Sequence, residues 1–541
     1  MRAFADLLDR LSLTASRNAK LTLVRDYLRA TPDPDRGWAL AALTGELSFN
    51  AAKPAFIRKA VEERMDPQLF WWSYDYVGDL AETVALVWPS RPGANREPQL
   101  SEVVDALRGA SRAEVQRLIE GWLDALVEPR ERWALLKLVT GGLRVGLSAR
   151  LAKQAAADLG GVPVAEVEEL WHALHPPYED LFAWLEGRSE KPSSDNPARF
   201  RPAMLAQAID EAVDFAKLDP ADYAAEWKWD GVRVQAVYEG GLRRLYTRTG
   251  DDISRTFPDI LETLTDEGVI DGELLVIRDG QVASFGDLQQ RLNRKAVDAK
   301  LIAAYPAAIR AYDLLAEGPQ DLRVLPFAER RKRLEAFVAR QRFARIDMSP
   351  LQPFDSWAAL ADLRADPPAG DPQIAEGLML KRWDSIYEAG RPKGPWFKWK
   401  RDPFLVDAVL MYAQRGHGKR SSFYSDYTFG VWTAADAAGQ RTLTPVGKAY
   451  FGFTDEELKQ IDKYVRDHTI ERFGPVRSIR AEPHAGLVFE VAFEGLQRSS
   501  RHKSGVAMRF PRIHRIRWDK PPGEADELIT LERMLEQIEG R

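Results

Sequence analysis

Residues 226 to 233 read Glu-Trp-Lys-Trp-Asp-Gly-Val-Arg, and the interpretation of the whole chain starts from this stretch. Its central lysine, Lys228, lies between Trp227 and Trp229. Aromatic neighbours desolvate an ammonium group and favour the neutral amine, which is the nucleophilic form of lysine. On its own the Lys-x-Asp-Gly tetrapeptide is a weak signal, because a strand and turn with a solvated lysine has the same pattern. The segments that follow it along the chain decide between these two interpretations.

Four downstream segments carry polar side chains: two at the predicted start of a strand, one after a helical stretch and one that alternates bulky and basic residues. They are residues 271–273 (Asp-Gly-Glu), 311–313 (Ala-Tyr-Asp), 376–379 (Glu-Gly-Leu-Met) and 396–400 (Trp-Phe-Lys-Trp-Lys). In the last segment, alternation places Lys398 and Lys400 on one strand face. Two ammonium groups side by side repel each other unless an anion lies between them, and a phosphate would supply that anion.

The other polar side chains in these segments suit the remaining parts of a nucleotide. Glu273 and Glu376 are carboxylates at predicted strand edges, suited to a ribose hydroxyl and to a hard divalent cation respectively. Tyr312 offers a flat aromatic face on which a base can stack. The sequence therefore predicts a nucleotide site with Lys228 as its nucleophile.

The composition excludes several other classes of site. The chain has 541 residues, is 45% hydrophobic and 29% charged, and contains no cysteine. A thiolate nucleophile, a disulfide framework, an iron–sulfur cluster and any zinc finger are therefore excluded. No stretch approaches about 18 consecutive apolar residues, and the first residues lack a signal-peptide pattern, so we expect a cytoplasmic protein without membrane association.

The distribution of charge is more informative than the formal net charge of −5. Residues 132–153 contain five basic and no acidic side chains, residues 381–401 contain seven and two, and residues 498–520 contain eight and one. One such run is as often a solvated face as a binding site. Three runs in three candidate domains indicate a polyanion that contacts all of them.

Periodicity predicts a multidomain chain. Residues 1–187 have the three-and-four spacing of helices, and residues 188–202, rich in Ser, Pro and charge, are typical of a linker. Residues 203–401 alternate short strands with helices, an α+β pattern. Residues 402–541 are predicted to form a small β domain closed by a C-terminal helix.

The ordered series of segments resembles the motif series of the ATP-dependent DNA ligases, within the covalent nucleotidyltransferase superfamily. The resemblance covers nearly the whole chain, because residues 138–147 are similar to the DNA-contacting turn of the larger ligases, and residues 508–512 and 517–520 to the last motif of the family. It implies an all-α N-terminal DNA-binding domain, an α+β nucleotidyltransferase (adenylation) domain and a β-barrel OB-fold C-terminal domain. It also implies ATP as the AMP donor, Mg²⁺ or Mn²⁺, and nicked double-stranded DNA as the substrate of a monomeric enzyme.

The resemblance implies a role for each residue that matches a family motif. Lys228 would form the phosphoramidate with AMP, and Glu226 and Tyr312 would hold the adenine. Arg233 and Glu273 would contact the ribose side. Glu376, with Glu273, would bind the metal ion.

The remaining cations would contact phosphates. Lys398 and Lys400 would contact the α-phosphate, and Arg517 with Lys520 would orient the leaving pyrophosphate. Arg248 would contact a phosphate or the nick. Residues 247–251 read Thr-Arg-Thr-Gly-Asp, where the family more commonly has a Ser-Arg pair followed by Glu, so the roles of Arg248 and Asp251 stay open.

Three segments contain candidates for direct DNA contact. Glycines in the turn at 138–147 let backbone N–H groups approach phosphates, and the alternative is a glycine-broken junction between two core helices. The candidate DNA-binding residues are Thr140, Gly141, Leu143, Arg144 and Gly146 in this turn, and Lys419, Arg509 and Arg512 in the C-terminal domain.

Other enzymes and one non-enzymatic role compete with a DNA ligase. An RNA ligase or a capping guanylyltransferase shares the Lys-x-Asp-Gly core, but these lack a helical region of this size, and a capping enzyme would be labelled by GTP. An NAD-dependent DNA ligase is excluded by the absence of zinc-binding cysteines. A catalytically inactive DNA-binding scaffold would require a broken site.

Apart from these motifs, the paired Trp71 and Trp72 are predicted to lie in the core.

Overall fold

The three sequence regions differ in secondary structure, as the periodicity predicts. A computed structural model describes the whole chain except residues 50–53, 78, 92, 94–95, 193–196, 293, 295, 341–344, 369, 371–374, 417–422, 436–438, 474–475, 501 and 539–541. Within this described part, no helix is both long and apolar enough to cross a membrane. The chain forms two compact units. The first unit holds the helical and the C-terminal regions (Met1–Leu170, Leu174–Ser193 and Phe404–Leu535), and the second holds the middle region, mainly Ser194–Pro403.

The N-terminal region is helical, and the described part of residues 1–187 contains no strand. In the first helix, Phe4, Leu7, Leu8 and Leu11 are buried on one face, which is the three-and-four spacing seen in the sequence. The helices are α1 Arg2–Leu13, α2 Arg17–Ala30, α3 Asp35–Thr44, α4 Pro54–Glu62, α5 Pro67–Val77, α6 Leu80–Val87, α7 Leu100–Gly109, α8 Arg112–Ala125, α9 Pro129–Thr140, α10 Ala149–Gly160, α11 Val164–Leu170 and α12 Glu179–Leu185, with a 3₁₀ turn at Trp171–Ala173.

The prediction that Trp71 and Trp72 lie in the core is wrong. Their exposed fractions are 39% and 63%, whereas the preceding residue of α5, Phe70, is fully buried. Successive side chains on a helix point about 100° apart, so the face that buries Phe70 turns the next two residues away from the core.

The middle region contains two sheets. One has the strand order β1-β12-β11-β2-β10, and the other has the order β4-β3-β5-β7-β8, with β6 paired to β5 and β9 parallel to β7. The elements are β1 Gln207–Ala208, α13 Glu211–Asp214, β2 Tyr223–Trp227, β3 Val232–Glu239, β4 Leu242–Thr247, α14 Pro258–Leu261, β5 Gly268–Arg278, β6 Gln281–Val282, α15 Phe285–Leu292, α16 Ala299–Ala304, β7 Ala307–Glu317, β8 Gln320–Asp321, α17 Phe327–Arg340, β9 Ile346–Met348, β10 Leu351–Gln352, α18 Trp357–Ala365, β11 Gly377–Arg382 and β12 Trp396–Lys400.

Apolar clusters on both sheets hold the middle region together. Leu275 of β5 packs in one cluster with Trp227 and Leu378 of the other sheet. A second cluster includes Ala198 and Phe200, which belong to the segment predicted as a linker. The end of this segment therefore packs on the middle region, because its apolar residues alternate with polar ones and cover the sheet.

The C-terminal region is rich in strands. Its main sheet has the order β15-β14-β13-β17-β16, with β18 paired to β13 and β21 paired to β18, and β19 and β20 form a separate hairpin. The elements are β13 Phe404–Arg415, β14 Tyr424–Trp432, β15 Leu443–Ala449, α19 Asp455–Asp467, β16 Thr469–Phe473, β17 Val476–Ile479, β18 Val488–Phe493, β19 Gly495–Arg498, β20 Val506–Arg509, β21 Arg512–Arg517 and α20 Leu528–Ile538. The closing helix was predicted, whereas α19 was not, although its capping box of Thr454 and Glu457 is visible in the sequence.

Candidate active site

A cavity of about 530 Å³ in the middle region gathers the residues predicted to bind the nucleotide. This volume is within the range of small-molecule sites. Its lining comes from strands of both sheets and the loops that follow them. The predicted residues that line it are Glu226, Lys228, Arg233, Arg248, Glu273, Tyr312, Glu376, Lys398 and Lys400.

Backbone hydrogen bonds fix Lys228 beside Glu376. The N–H of Lys228 donates to the carbonyl of Gly377 at 2.8 Å, and the N–H of Glu376 donates to the carbonyl of Lys228 at 2.7 Å. These bonds continue the antiparallel ladder of β2 and β11 by one residue pair. Because the ladder sets the register, the two side chains enter the cavity together.

The amine of Lys228 meets a carboxylate, and its two neighbouring tryptophans pack in an apolar cluster. Its Nζ donates to Glu376. Trp227 and Trp229 are buried in an apolar cluster, and the Nε1 of Trp229 donates to the Oγ of Ser349 at 3.0 Å. Both tryptophans also line the cavity, and the prediction that aromatic neighbours desolvate the amine of Lys228 stays a prediction.

Two carboxylates of the cavity fit a divalent cation. Burial raises the pKa of Glu273 to about 8, against the lowering effect of Lys228 and Arg233, and the negative charge of Glu376 raises it further. A Mg²⁺ ion commonly takes one or two protein carboxylates and completes its shell with water and substrate phosphates. Within the described residues, no group of three or more acidic or histidine side chains could hold a metal by itself. The pair therefore supplies as many carboxylates as such an ion commonly takes from a protein.

A group of cations lines the cavity around β12. Lys398 and Lys400 share one strand face, as predicted, and Arg248 and Arg391 also line the cavity. Burial lowers the pKa of Lys398, and the neighbouring charges of Lys400, Arg391, Lys228 and Arg248 lower it further. Arg391 was not singled out from the sequence, although it belongs to the basic run at 381–401. Such a group is arranged to receive an anion.

A buried ion-pair network lies at another part of the lining. The carboxylate of Glu226 is 2.9 Å from the Nζ of Lys381 and 3.7 Å from Nη1 of Arg331. Lys381 lies 4.3 Å from the ring centroid of Tyr312, and burial lowers its pKa. Among the described residues, none forms a hydrogen bond with Oε2 of Glu226. Neither Lys381 nor Arg331 was predicted as a site residue. Lys381 belongs to the basic run at 381–401, and an arginine on a charged helix such as α17 carries no distinctive pattern.

Arg233 is held in place by several partners. Its Nε and Nη2 donate to the two carboxylate oxygens of Asp271 at 3.0 and 2.6 Å, and its Nη1 donates to the carbonyl of Met204 at 2.7 Å. The hydroxyl of Tyr387 also donates to Asp271, at 2.6 Å. This network fixes the orientation of Arg233 at the edge of the cavity.

The C-terminal cations do not line this cavity. Nη1 of Arg517 and Nζ of Lys520 lie 3.1 and 2.7 Å from Oδ2 of Asp407. Arg517 also pairs with Asp519 at 2.8 Å. Their predicted role at the pyrophosphate stays a prediction.

The candidate DNA-binding residues belong to the helical and the C-terminal regions. In the helical region, Thr140 ends α9, Gly141 caps it in a left-handed conformation, and Leu143, Arg144 and Gly146 follow in the turn before α10. In the C-terminal region, Arg509 ends β20 and Arg512 begins β21, where it donates to Glu494 at 2.9 Å. Lys419 lies outside the described residues.

Comparisons with known proteins cover the three regions. The family described as "ATP dependent DNA ligase domain" matches residues 203–400, "ATP dependent DNA ligase C terminal region" matches residues 420–520, and "DNA ligase N terminus" matches residues 1–157. The chain is similar to a probable DNA ligase of Koribacter versatilis, with 31% identity over 98% of this chain and 96% of the relative. It is also similar to DNA ligase 1 of Korarchaeum cryptofilum, with 32% identity over 100% of this chain and 98% of the relative.

A solved structure named Pmar-Lig_PreS3 shares the fold. It covers 95% of this chain and 99% of its own, with a TM-score of 0.59 and 14% identity. The matching models follow the order of the helical, middle and strand-rich regions. The cavity, its lysine and these matches together show that the chain belongs to the family of ATP-dependent DNA ligases.

Proposed function

We propose that this ligase seals nicks in duplex DNA through a covalent AMP adduct on Lys228. The observation that supports this most is the position of Lys228 in a nucleotide-sized cavity that two carboxylates and a group of cations also line. In the first step, the neutral amine attacks the α-phosphorus of ATP, a P–N bond forms, and the bond to pyrophosphate breaks. The amine proton leaves with this step, and Glu376, which accepts a hydrogen bond from Nζ, is placed to take it.

The cations around β12 would stabilise this step. Charge develops on the oxygens of the α-phosphoryl group in the transition state. Lys398 and Lys400 point into the cavity from one strand face. Their positive charges are already in place, so no rearrangement is needed to stabilise the negative charge that develops on these oxygens.

Glu273 and Glu376 would hold the Mg²⁺ ion that accompanies the nucleotide. A bound Mg²⁺ supplies charge neutralisation at the phosphates. In our proposal the two carboxylates position that charge beside Lys228, and Arg233, fixed by Asp271, contacts the ribose side.

Glu226 supports ATP as the nucleotide in preference to GTP. Its buried carboxylate lies beside Lys381 and Arg331, and an ionised carboxylate only accepts hydrogen bonds. The exocyclic amine of adenine donates to such an acceptor, whereas the carbonyl oxygen of guanine repels it. This distinguishes the proposal from a capping guanylyltransferase.

The later steps use DNA. The 5′-phosphate of the nick attacks the AMP phosphorus, so that the P–N bond to Lys228 breaks and a pyrophosphate linkage forms. The 3′-hydroxyl then attacks the 5′-phosphorus and expels AMP. We propose that the C-terminal region is an OB-fold barrel, that the turn at 138–147 contacts DNA phosphates, and that the enzyme acts as a monomer on DNA in the cytoplasm.

A nick-sealing assay tests the proposed function. The substrate is a duplex with one 5′-phosphorylated nick, incubated with Mg²⁺ and with ATP, GTP or NAD in separate reactions. We expect sealed product with ATP and none above background with GTP or NAD. Sealing with GTP, or sealing of a nicked RNA duplex in preference to DNA, would contradict the proposal.

A further inference from the structure

The turn between α9 and α10 has an unusual backbone. Gly141, Arg144 and Gly146 have φ angles of +71°, +42° and +64°. Arg144 is not a glycine, so its left-handed conformation costs energy and persists only where the surroundings impose it. A specific contact must therefore hold this turn.

Lys20 of α2 provides that contact. Its side chain is buried, with 7% exposed, and its Nζ donates to the carbonyl oxygens of Val145 and Gly146, both at 2.7 Å. A buried ammonium group is costly unless its protons are satisfied, and two carbonyls from consecutive residues accept two of its three protons. The contact joins residues 125 and 126 positions apart in the chain.

The two hydrogen bonds of Lys20 fix the direction of these carbonyls and therefore also the direction of the N–H groups in the same peptide units. In a trans peptide unit the C=O and N–H bonds point in opposite directions. The peptides that follow Val145 and Gly146 are trans, so the N–H groups of Gly146 and Leu147 point away from Lys20. Gly146 and Arg144 are exposed, and in the described part of the chain the N–H groups of residues 143–147 donate no hydrogen bond to a protein acceptor.

We propose that Lys20 is a positioning residue for DNA binding. It draws two carbonyls inward and thereby presents the N–H groups of Gly146 and Leu147, beside the guanidinium of Arg144, to a phosphate of the DNA backbone. Lys20 itself does not contact DNA, because both carbonyls occupy its buried ammonium. The inference rests on the proposed function, in which this turn contacts DNA.

The test compares Lys20→Met with Lys59→Met in the full chain. Lys59 lies on α4, is 65% exposed, and its contact is an ion pair with Glu63, so its loss removes the same charge without affecting the turn. The ligand is a nicked duplex that lacks the 3′-hydroxyl, which allows binding without sealing. We measure affinity at several salt concentrations and amide hydrogen exchange of residues 143–150 with and without DNA.

We expect about tenfold weaker binding for Lys20→Met, the size of one lost hydrogen bond to a charged acceptor, and no such loss for Lys59→Met. The slope of log affinity against log salt should stay as in the unaltered enzyme, because no ion pair to a phosphate is lost. A lysine that touched a phosphate would change this slope by about 0.9. DNA should protect the amides of residues 143–150 in the unaltered enzyme and in Lys59→Met, but not in Lys20→Met.

Gly146→Ala is the second variant, in case Lys20→Met does not fold. A Cβ at this position would lie 2.5 Å from the Nζ of Lys20, at a φ that disfavours alanine. We expect the same weaker binding with Lys20 still present. Equal affinity and protection in Lys20→Met and Lys59→Met, or normal binding by Gly146→Ala, would overturn the inference, as would binding by the unaltered enzyme without protection of the turn. Failure of the unaltered enzyme to bind or seal nicks would instead contradict the proposed function.

Discussion

Two groups of cations in this ligase have opposite surroundings. In the cavity, Lys398 is surrounded by further positive charges, which together with burial lower its pKa. In the C-terminal region, Arg517 and Lys520 converge on one carboxylate, that of Asp407. Among the described residues no carboxylate forms an ion pair with Lys398, although Lys400 beside it lies 3.9 Å from Glu376, whereas both cations of the second group pair with Asp407.

The difference indicates what each group does when an anion arrives. The folded protein holds these cations close together, so they repel one another before an anion binds. A phosphate at Lys398 relieves this repulsion, which favours its binding. For Arg517 and Lys520, an incoming anion has to replace Asp407, and the gain is only the difference between two similar ion pairs. We therefore expect the cavity cations to matter more for adenylation than the C-terminal cations.

The largest expected effect is at Lys398. Lys398→Ala should slow formation of the AMP adduct by about a hundredfold, because a fixed charge at the reacting phosphoryl group is lost. Single-turnover labelling with α-labelled ATP measures the rate. Lys393→Ala is the matched control, since Lys393 is exposed in the same segment and does not line the cavity. Equal rates for the two variants would remove the basis of the comparison.

A smaller effect is expected at Arg517. Arg517→Ala should slow adduct formation by about tenfold, because one charge-assisted contact to pyrophosphate is lost. Arg515→Ala, on the same strand and 58% exposed, should leave the rate unchanged. If Arg517→Ala were as slow as Lys398→Ala, pairing with Asp407 would not weaken the contribution of Arg517.

The smallest expected effect is a pH dependence of the metal requirement. Burial raises the pKa of Glu273 to about 8, so this carboxyl must lose a proton before it can hold Mg²⁺. The Mg²⁺ concentration for half-maximal adduct formation should therefore fall several-fold between about pH 7 and pH 9. Titrations of Mg²⁺ at each pH measure this half-maximal concentration. Glu273→Gln should need more Mg²⁺ and show a smaller pH dependence, and an identical dependence would contradict the assignment.

The same pKa also affects stability. Between 4.5, the usual pKa of glutamate, and about 8, the folded protein binds this proton and the unfolded chain does not. The contribution of Glu273 to the free energy of unfolding should therefore decrease as the pH rises across this window. Denaturant titrations at several pH values across this window measure it. The free energy of unfolding should decrease less with rising pH for Glu273→Gln than for the unaltered protein.

The sequence was sufficient to predict most of the polar residues that line the cavity, because they occur in ordered strand segments. Alternation correctly placed Lys398 and Lys400 on one face, and strand pairing brought Glu376 to Lys228. Helical periodicity predicted the N-terminal region, and the turn with Arg144 followed from its glycines.

The side chains missed by sequence analysis act through contacts that are distant in the chain. Glu226 meets Lys381 from another strand and Arg331 from a helix, and Asp407 meets Arg517 more than a hundred residues later. No local pattern encodes such pairs. The prediction that Trp71 and Trp72 lie in the core was wrong for another reason. Hydrophobic character alone does not determine which side of a helix faces the core.

The central claim is that Lys228 carries AMP. The most direct measurement is incubation of the enzyme with α-labelled ATP and Mg²⁺, followed by mapping of the labelled peptide and the same experiment on Lys228→Ala. We expect an acid-labile AMP adduct on the peptide that contains Lys228, and no adduct on the variant. An adduct on another residue, or undiminished labelling of Lys228→Ala, would contradict the account.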